Sequence, residues 1–250
     1  MDSLSMFNLA GKRALITGSS RGIGFAIAGA LAGAGADVIL NSRDPAALGK
    51  ATADLADSGA RARAVAFDVT NAESVGDAID HIEREIGAID ILVNNAGMQH
   101  RSPLEDFPED KFEQVMRTNV TSVFLVGQAV AKRMIPRASG KIINICSLMV
   151  NVARPSIAPY GASKAAVANL TRGMATEWAR HGINVNGIAP GYFKTELNEA
   201  LVRDPDFTAW VQKRTPMGRW GELAELGGAA IFLASDAASF VTCHSLYVDG

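Results

Sequence analysis

Residues 160–164 read YGASK, so a tyrosine stands four positions before a lysine, one turn apart on the same side of a helix. A free phenol titrates near pH 10 (about 10 in model peptides), too high for easy proton exchange at neutral pH, and a neighbouring ammonium favours the phenolate. Ser147 ends an apolar run, "KIINICS", and Tyr160 follows it after a twelve-residue loop. A serine hydroxyl there can hydrogen-bond a substrate oxygen. Tyr160, Lys164 and Ser147 together would move a proton while a nicotinamide moves a hydride. The alternative is a surface pair near a helix N-terminus, and the rest of the chain decides between the two.

A second stretch supplies the place for such a cofactor. "TGSSRGIG" (17–24) joins a short apolar run to an alanine-rich helical pattern, with glycines at 18, 22 and 24. Glycines let the backbone turn sharply and approach a ligand, and the helix start offers free N–H groups to a pyrophosphate. The spacing G-x-x-x-G-x-G differs from the commoner G-x-G-x-x-G fingerprint. Ser20, Arg21 and Ile23 fill the loop. The next apolar run ends "NSRD". An acid at that strand end would take a ribose 2′-hydroxyl and favour NAD(H). Asn41 stands there instead, followed by Ser42 and Arg43, and Asp44 lies one residue too late. Arg21 and Arg43 suit a 2′-phosphate, whose oxygens match the planar guanidinium fork. NADP(H) is the expected cofactor, with NAD(H) possible.

The elements that must position these groups alternate. Apolar runs at 13–18, 37–43, 61–70, 89–97, 140–147, 183–191 and 245–250 read as strands. Between them, helical patterns cover 22–36, 45–60, 71–87, about 109–136, 160–180 and 222–234, and 195–215 is mostly helical and resembles an insertion. Regular alternation of this kind predicts a parallel α/β sheet wrapped on both faces, and strands without period-2 polarity agree with burial on both sides. No repeat or linker divides the chain, so 1–250 is expected to be one domain, with substrate loops at about 192–218. In such sheets ligands bind beyond the carboxyl ends of the strands, where Ser147 must lie.

Composition narrows the field further. A formal net charge of −2 gives no electrostatic case for nucleic acid or an anionic membrane. The 2 cysteines, Cys146 and Cys243, make no metal-binding spacing, so no metal site is expected and a reducing compartment is the default. The N-terminal "MDSLSMFNLAGKR" lacks a basic stretch followed by an apolar run, and no long apolar segment exists, which predicts a cytoplasmic protein.

TGSSRGIG, "NNAG" (94–97), Asn119, Ser147, Tyr160, Lys164 and "PG" (190–191) follow the order and spacing of the short-chain dehydrogenase/reductase family, which the whole chain resembles. The resemblance implies a single Rossmann-type, doubly wound domain with a seven-stranded parallel sheet, a homotetramer, and an Asn-Ser-Tyr-Lys tetrad. It makes Tyr160 the general acid/base. Lys164 then lowers its pKa and binds the nicotinamide ribose, Ser147 orients the carbonyl or hydroxyl, and Asn119 holds a water linking Lys164 to solvent. It also places Asp68 and Val69 at the adenine, Asn95, Ala96 and Gly97 along the ribose, and Pro190, Gly191, Phe193 and Thr195 at the nicotinamide end.

Substrate contacts should come from "MQHRSP" (98–103) and "LMVNVARPSIAP" (148–159), where His100, Arg101, Asn151 and Arg154 accompany Ser147 and Tyr160. Arginines there suit an anionic, hydroxylated substrate such as a sugar acid; they could equally pair with surface carboxylates or line a subunit contact. "NNAGMQHR", "ARPSIAPY", "APGYFKTE" and "RTPMGRWGE" resemble the gluconate 5-dehydrogenase group of the family, which interconverts D-gluconate and 5-keto-D-gluconate. The chain departs from that group in His100, where an arginine is usual, in Asn151, where an acid is frequent, and in a C-terminus that suggests truncation. A 3-oxoacyl-carrier-protein reductase would share the tetrad and NADPH, but it wants a basic surface that 109–136 does not offer. A dinucleotide-binding regulatory protein without turnover is the alternative of another class.

Overall fold

The computed structural model describes residues 4–250. Seven strands, β1 (Arg13–Ile16), β2 (Asp37–Leu40), β3 (Ala62–Ala64), β4 (Ile91–Asn94), β5 (Gly140–Ile145), β6 (Ile183–Pro190) and β7 (Ser245–Val248), form one sheet in the order β3-β2-β1-β4-β5-β6-β7. Every neighbouring pair is parallel. The helices are α1 (Gly22–Gly33), α2 (Pro45–Asp57), α3 (Ala72–His81), α4 (Glu109–Met116), α5 (Ser122–Met134), α6 (Ala158–Trp178), α7 (Glu199–Arg203), α8 (Pro205–Arg214) and α9 (Gly227–Ala234). No described helix is long and apolar enough to cross a membrane.

The apolar runs are strands because both of their faces are covered. Leu15, Ile39, Leu92 and Ile142 pack with Val75, Val126, Val130 and Val167, which come from α3, α5 and α6. Their sequence neighbours Ala14, Ile16, Val38, Leu40, Ile91 and Val93 point the other way, onto Ile27, Leu31, Leu48 and Leu233 of α1, α2 and α9. This is the expected doubly wound, Rossmann-type sheet. Its order reverses at β1, which pairs with β2 on one side and β4 on the other, so the crevice opens at the carboxyl ends of those strands.

Three elements depart from the expected boundaries. The second strand stops at Leu40 because Asn41 turns its buried amide inward to bind backbone (below). The third shrinks to Ala62–Ala64 at the edge of the sheet, where it has a partner on one side only. The long helix is broken into α4 and α5 by a π-helical turn, Arg117–Thr121, which carries Asn119. A wide turn of this kind is sparse in proteins and concentrated at functional sites. The segment at 192–218 holds α7 and α8, each opened by a capping side chain or preceded by a short 3-10 turn.

Candidate active site

A cleft of about 820 Å³ lies across the carboxyl ends of β1, β2, β4, β5 and β6. Its first wall is the glycine loop: Gly18, Ser20, Arg21, Gly22 and Ile23 all line it. The three glycines serve different ends. Gly18 has φ +61, and a Cβ there would sit 2.8 Å from the Ala96 Cα. Gly24, which does not line the cleft, would place a Cβ 2.4 Å from Nδ2 of Asn95 and 2.6 Å from the carbonyl oxygen of Gly18. Gly22 has φ +60 and open space beside it, the cradle an incoming phosphate requires. The first turn of α1 has no acidic residue and no side-chain cap, so its N–H groups remain available to an anion. On these observations a dinucleotide pyrophosphate fits the loop. Gly24→Ala should force Asn95 from the bonds it donates to the Thr17 and Gly18 carbonyls, at 2.9 and 2.8 Å. Cofactor affinity measured by calorimetry should fall at least about tenfold, with a melting temperature lowered by roughly 2–4 °C per kcal/mol lost. Wild-type affinity in that variant would remove this account of the loop.

At the adenosine end, Asn41, Ser42, Arg43, Asp68 and Val69 line the cleft, as does Asp44. Asn41 is buried, and its amide is taken: Oδ1 accepts from the Gly18 N–H at 3.3 Å and Nδ2 donates to the Phe67 carbonyl at 3.1 Å. It ties the glycine loop to the end of β3 and leaves the outer rim to Arg43. Asp44 accepts from the Ala46 and Ala47 N–H groups and caps α2, which occupies the one acid near the ribose position. Burial pushes the Asp68 carboxyl up, but hydrogen bonds from Thr70 and the charges of Arg43 and Arg117 outweigh it and hold the group below its ordinary value. Of the two guanidiniums expected at a 2′-phosphate, Arg43 borders the cleft beside Asp68. Arg21 reaches instead to Glu196, in an exposed ion pair of 3.2 Å.

The reacting end gathers residues from β4, β5, α6 and β6. Ser147, Tyr160 and Lys164 line the cleft together with Asn95, Ala96, Gly97, Pro190, Gly191, Phe193 and Thr195. The Ser147 hydroxyl stands near enough to the Tyr160 phenol to favour its charged form, and its oxygen accepts from the Met149 N–H at 3.2 Å. Lys164 is 6% exposed, and its Nζ donates to the Ile145 carbonyl at 2.7 Å and lies 5.8 Å from the centroid of the Tyr160 ring. Burial pushes the Lys164 ammonium down to about 8. Burial also pushes the Tyr160 phenol up. Burial thus moves both groups toward their neutral forms, and at the phenol Ser147 opposes it. Gly97 leaves no room for a side chain between Lys164 and Asn119, a Cβ there lying 3.3 Å from Asn119 Oδ1 and 3.7 Å from Lys164 Nζ.

Asn119 sits behind the cleft rather than in it. Its Oδ1 accepts from the Met98 N–H at 2.8 Å; its Nδ2 donates to the Met98 carbonyl and to the Ser163 hydroxyl, each at 2.9 Å. Ser163 in turn donates to the Tyr160 carbonyl at 2.7 Å. The amide thus clamps the loop after β4 to α6, one residue before Lys164, and the π-helical turn is what aims it there.

The substrate candidates are dispersed. His100 packs edge-on to Phe107, with ring centroids 5.3 Å apart, and does not border the cleft. Arg101 and Arg154 are close enough that the charge of Arg154, after burial, pushes the Arg101 guanidinium down. Asn151 lines a second cavity of about 580 Å³ with Leu148, Tyr192 and Arg214. Sequence reasoning missed Met98, Gln99, Thr118 and Cys146, which also border the main cleft. It missed Tyr192 as well, although "PGYF" places it beside the nicotinamide-end residues. Among the described residues no group of acids, histidines or cysteines could hold a metal.

Comparison with known proteins agrees with this geometry. The family model described as enoyl-(acyl carrier protein) reductase matches residues 18–250. Gluconate 5-dehydrogenase of Gluconobacter oxydans (strain 621H) is 54% identical over 250 residues, 100% of this chain and 98% of that protein. 5-Keto-D-gluconate 5-reductase of Escherichia coli (strain K12) is 53% identical over 245 residues, 98% of this chain and 96% of its own. The crystal structure of a gluconate 5-dehydrogenase from Burkholderia cenocepacia J2315 in complex with NADP and tartrate superposes with a TM-score of 0.97 at 54% identity, covering 99% of this chain and 97% of that one. With its glycine loop, its buried lysine and its tyrosine beside Ser147 at one end of a reversed parallel sheet, the chain belongs to the short-chain dehydrogenase/reductase family and is an oxidoreductase with a nicotinamide dinucleotide site.

Proposed function

We propose that the chain interconverts 5-keto-D-gluconate and D-gluconate with NADP(H). The observation that carries this reading is the gathering of Ser147, Tyr160 and Lys164 along one dinucleotide cleft, in a chain 54% identical to a gluconate 5-dehydrogenase. When bound, the nicotinamide supplies or takes the hydride. In reduction, Tyr160 donates its phenolic proton to the substrate carbonyl oxygen while the Ser147 hydroxyl holds that oxygen in place. A phenol pushed up by burial is neutral at physiological pH, the form a proton donor needs. Lys164, buried and anchored to the Ile145 carbonyl, presents its remaining N–H donors to the cofactor ribose and its charge to the phenolate left behind. The Asn119 side-chain amide, committed to Met98 and Ser163, positions the loop after β4 against α6, and this fixes the residue for the water it is expected to hold. Arg101 and Arg154, close enough to feel each other's charge, would favour an anionic substrate, and Phe193, Thr195, Glu196 and Asn198 bring the 192–218 segment to the cleft.

The NADP preference is supported by Arg43 at the cleft rim and by the commitment of Asp44 to a helix cap. Arg43→Ala should raise the Michaelis constant for NADPH at least about tenfold while moving that for NADH less than about twofold, a split expected when a guanidinium–phosphate pair is lost. Equal effects on both coenzymes would sink the preference. Two free cysteines support a reducing, cytoplasmic setting, and the exposed Phe112 and Phe124 on α4 and α5 support self-association, as a homotetramer.

The test is NADPH oxidation followed with 5-keto-D-gluconate, with an acetoacetyl thioester and with neutral ketoses. The sugar acid should be preferred. Preference for the thioester would favour a 3-oxoacyl-carrier-protein reductase, and turnover of none would favour a regulatory dinucleotide-binding protein.

A further inference from the structure

Two buried polar atoms among the described residues have no hydrogen-bond partner: the hydroxyl of Tyr192 and Nε of Arg154. Such groups are rare in native proteins, because each has surrendered its water without replacement. These two belong to one cluster. Tyr192 follows Gly191 at the end of β6, and Arg154 lies in the loop after β5. Both pack on Phe207 of α8, whose ring lies 4.9 Å from the Arg154 guanidinium carbon and 6.0 Å, edge-on, from the Tyr192 ring. Trp210 and Trp220 complete the wall around Tyr192, at 5.6 and 5.8 Å. The Trp220 indole N–H is already given to Thr208, at 3.2 Å, so it contributes surface and no further donor.

Cations outnumber acids around the cluster, Asp249 being the acid that lines the same side cavity as Tyr192 and Arg214. Arg101 feels the charge of Arg154, and Tyr192 feels those of Arg154 and Arg214. Among the described residues none of these arginines has an ion pair. What the Tyr192 hydroxyl and the Arg154 Nε–H lack is an acceptor within reach. A carboxylate supplies two oxygens, one for the Tyr192 O–H and one for the Arg154 Nε–H. The position suits a substrate already held for reaction. Leu148, next to Ser147, and Tyr192, next to Gly191, line one side cavity where the chain leaves the main cleft.

We propose that Tyr192 is a specificity-determining residue whose hydroxyl, with the Arg154 Nε–H, receives the carboxylate of a hydroxy-acid substrate reacting at Tyr160. This rests on the sugar-acid reading above and names the atoms that enforce it. A neutral ketose leaves both donors unpaired, and a site built to hydrogen-bond a missing group discriminates strongly. Because Phe207 is on α8, the bound carboxylate also ties the 192–218 segment over the reacting end.

The test uses the full chain loaded with NADP⁺, titrated calorimetrically with tartrate as the carboxylate probe and with threitol as its neutral counterpart. Michaelis constants for 5-keto-D-gluconate are measured in parallel. Tyr192→Phe, which keeps the ring and the wall, should weaken tartrate binding and raise the Michaelis constant about tenfold, with NADP⁺ affinity within about twofold of the parent. Arg154→Met should do the same to a larger degree, and Arg154→Lys should restore part of the loss. Unchanged tartrate affinity in Tyr192→Phe would overturn the proposal. So would an equal loss of NADP⁺ affinity, or a parent protein that binds tartrate no better than threitol. A parent that binds tartrate through Tyr192 but ignores 5-keto-D-gluconate would support the pocket and sink only the choice of sugar acid. A parent that reduces 5-keto-D-gluconate with a Michaelis constant indifferent to Tyr192→Phe would sink the pocket alone.

Discussion

Tyr160→Phe lowers the turnover number by at least about 1000-fold, within the range that a positioned acid–base group contributes, and leaves NADP(H) affinity within about twofold of the parent. The variant keeps the ring that Lys164 Nζ faces at 5.8 Å and loses only the hydroxyl that stands near Ser147. The glycine loop and Arg43 stand at the far end of the cleft and keep their partners. Stopped-flow fluorescence of bound NADPH and steady-state turnover separate the two quantities. The fold should survive, since removing a phenol hydroxyl from a half-buried site that burial already disfavours for the charged form costs little. Near-parental turnover would mean that another group carries the proton, and the roles of Ser147 and Lys164 would fall with it.

The glycine loop was legible because glycine is the residue that both a positive φ and close backbone approach select, and Gly18, Gly22 and Gly24 each meet one of those demands. The sheet was legible because strands buried on both faces carry unbroken apolar runs, as Leu92 and Val93 do with their opposite-facing cores. Asn119 could be placed only by resemblance. A π-helical turn leaves no periodic signature in five residues, so the clamp it makes from Met98 to Ser163 depends on a backbone widening that hydrophobic spacing cannot report. Asn41 lines the cleft as its strand-end position suggested, but its second role could not be read from spacing: its amide satisfies backbone on both sides at once. Tyr192 escaped because its meaning lies in what it lacks, a partner, and that is a property of the packed chain. Spacing reports that a cation is near Tyr160 and says nothing of how much water both groups have lost.

Lys164→Met joins the two halves of that last point in one measurement. Turnover should fall at least about 100-fold, the lower range for loss of an acid–base component. Stability should move the other way. The ammonium of the folded protein titrates at about 8, below the 10.5 of a free lysine. Below pH 8 the folded chain carries a charge that burial disfavours, and between about 8 and 10.5 the unfolded chain holds the extra proton, so the parent gains stability as pH rises. The full difference is on the order of 3 kcal/mol, part of which the variant forfeits with the bond to the Ile145 carbonyl. At pH 7, without cofactor, Lys164→Met should therefore melt above the parent by a few degrees (about 2–4 °C for each kcal/mol at this size), and the gap should close toward pH 10 (about one unit short of full deprotonation of the unfolded lysine). Differential scanning calorimetry of both proteins across that range cancels the groups they share. A variant less stable than the parent at pH 7, or a gap that does not narrow with pH, would show that the lysine is solvated enough to keep its charge without penalty, and the buried ammonium would lose its place as the group that trades stability for proton transfer at Tyr160.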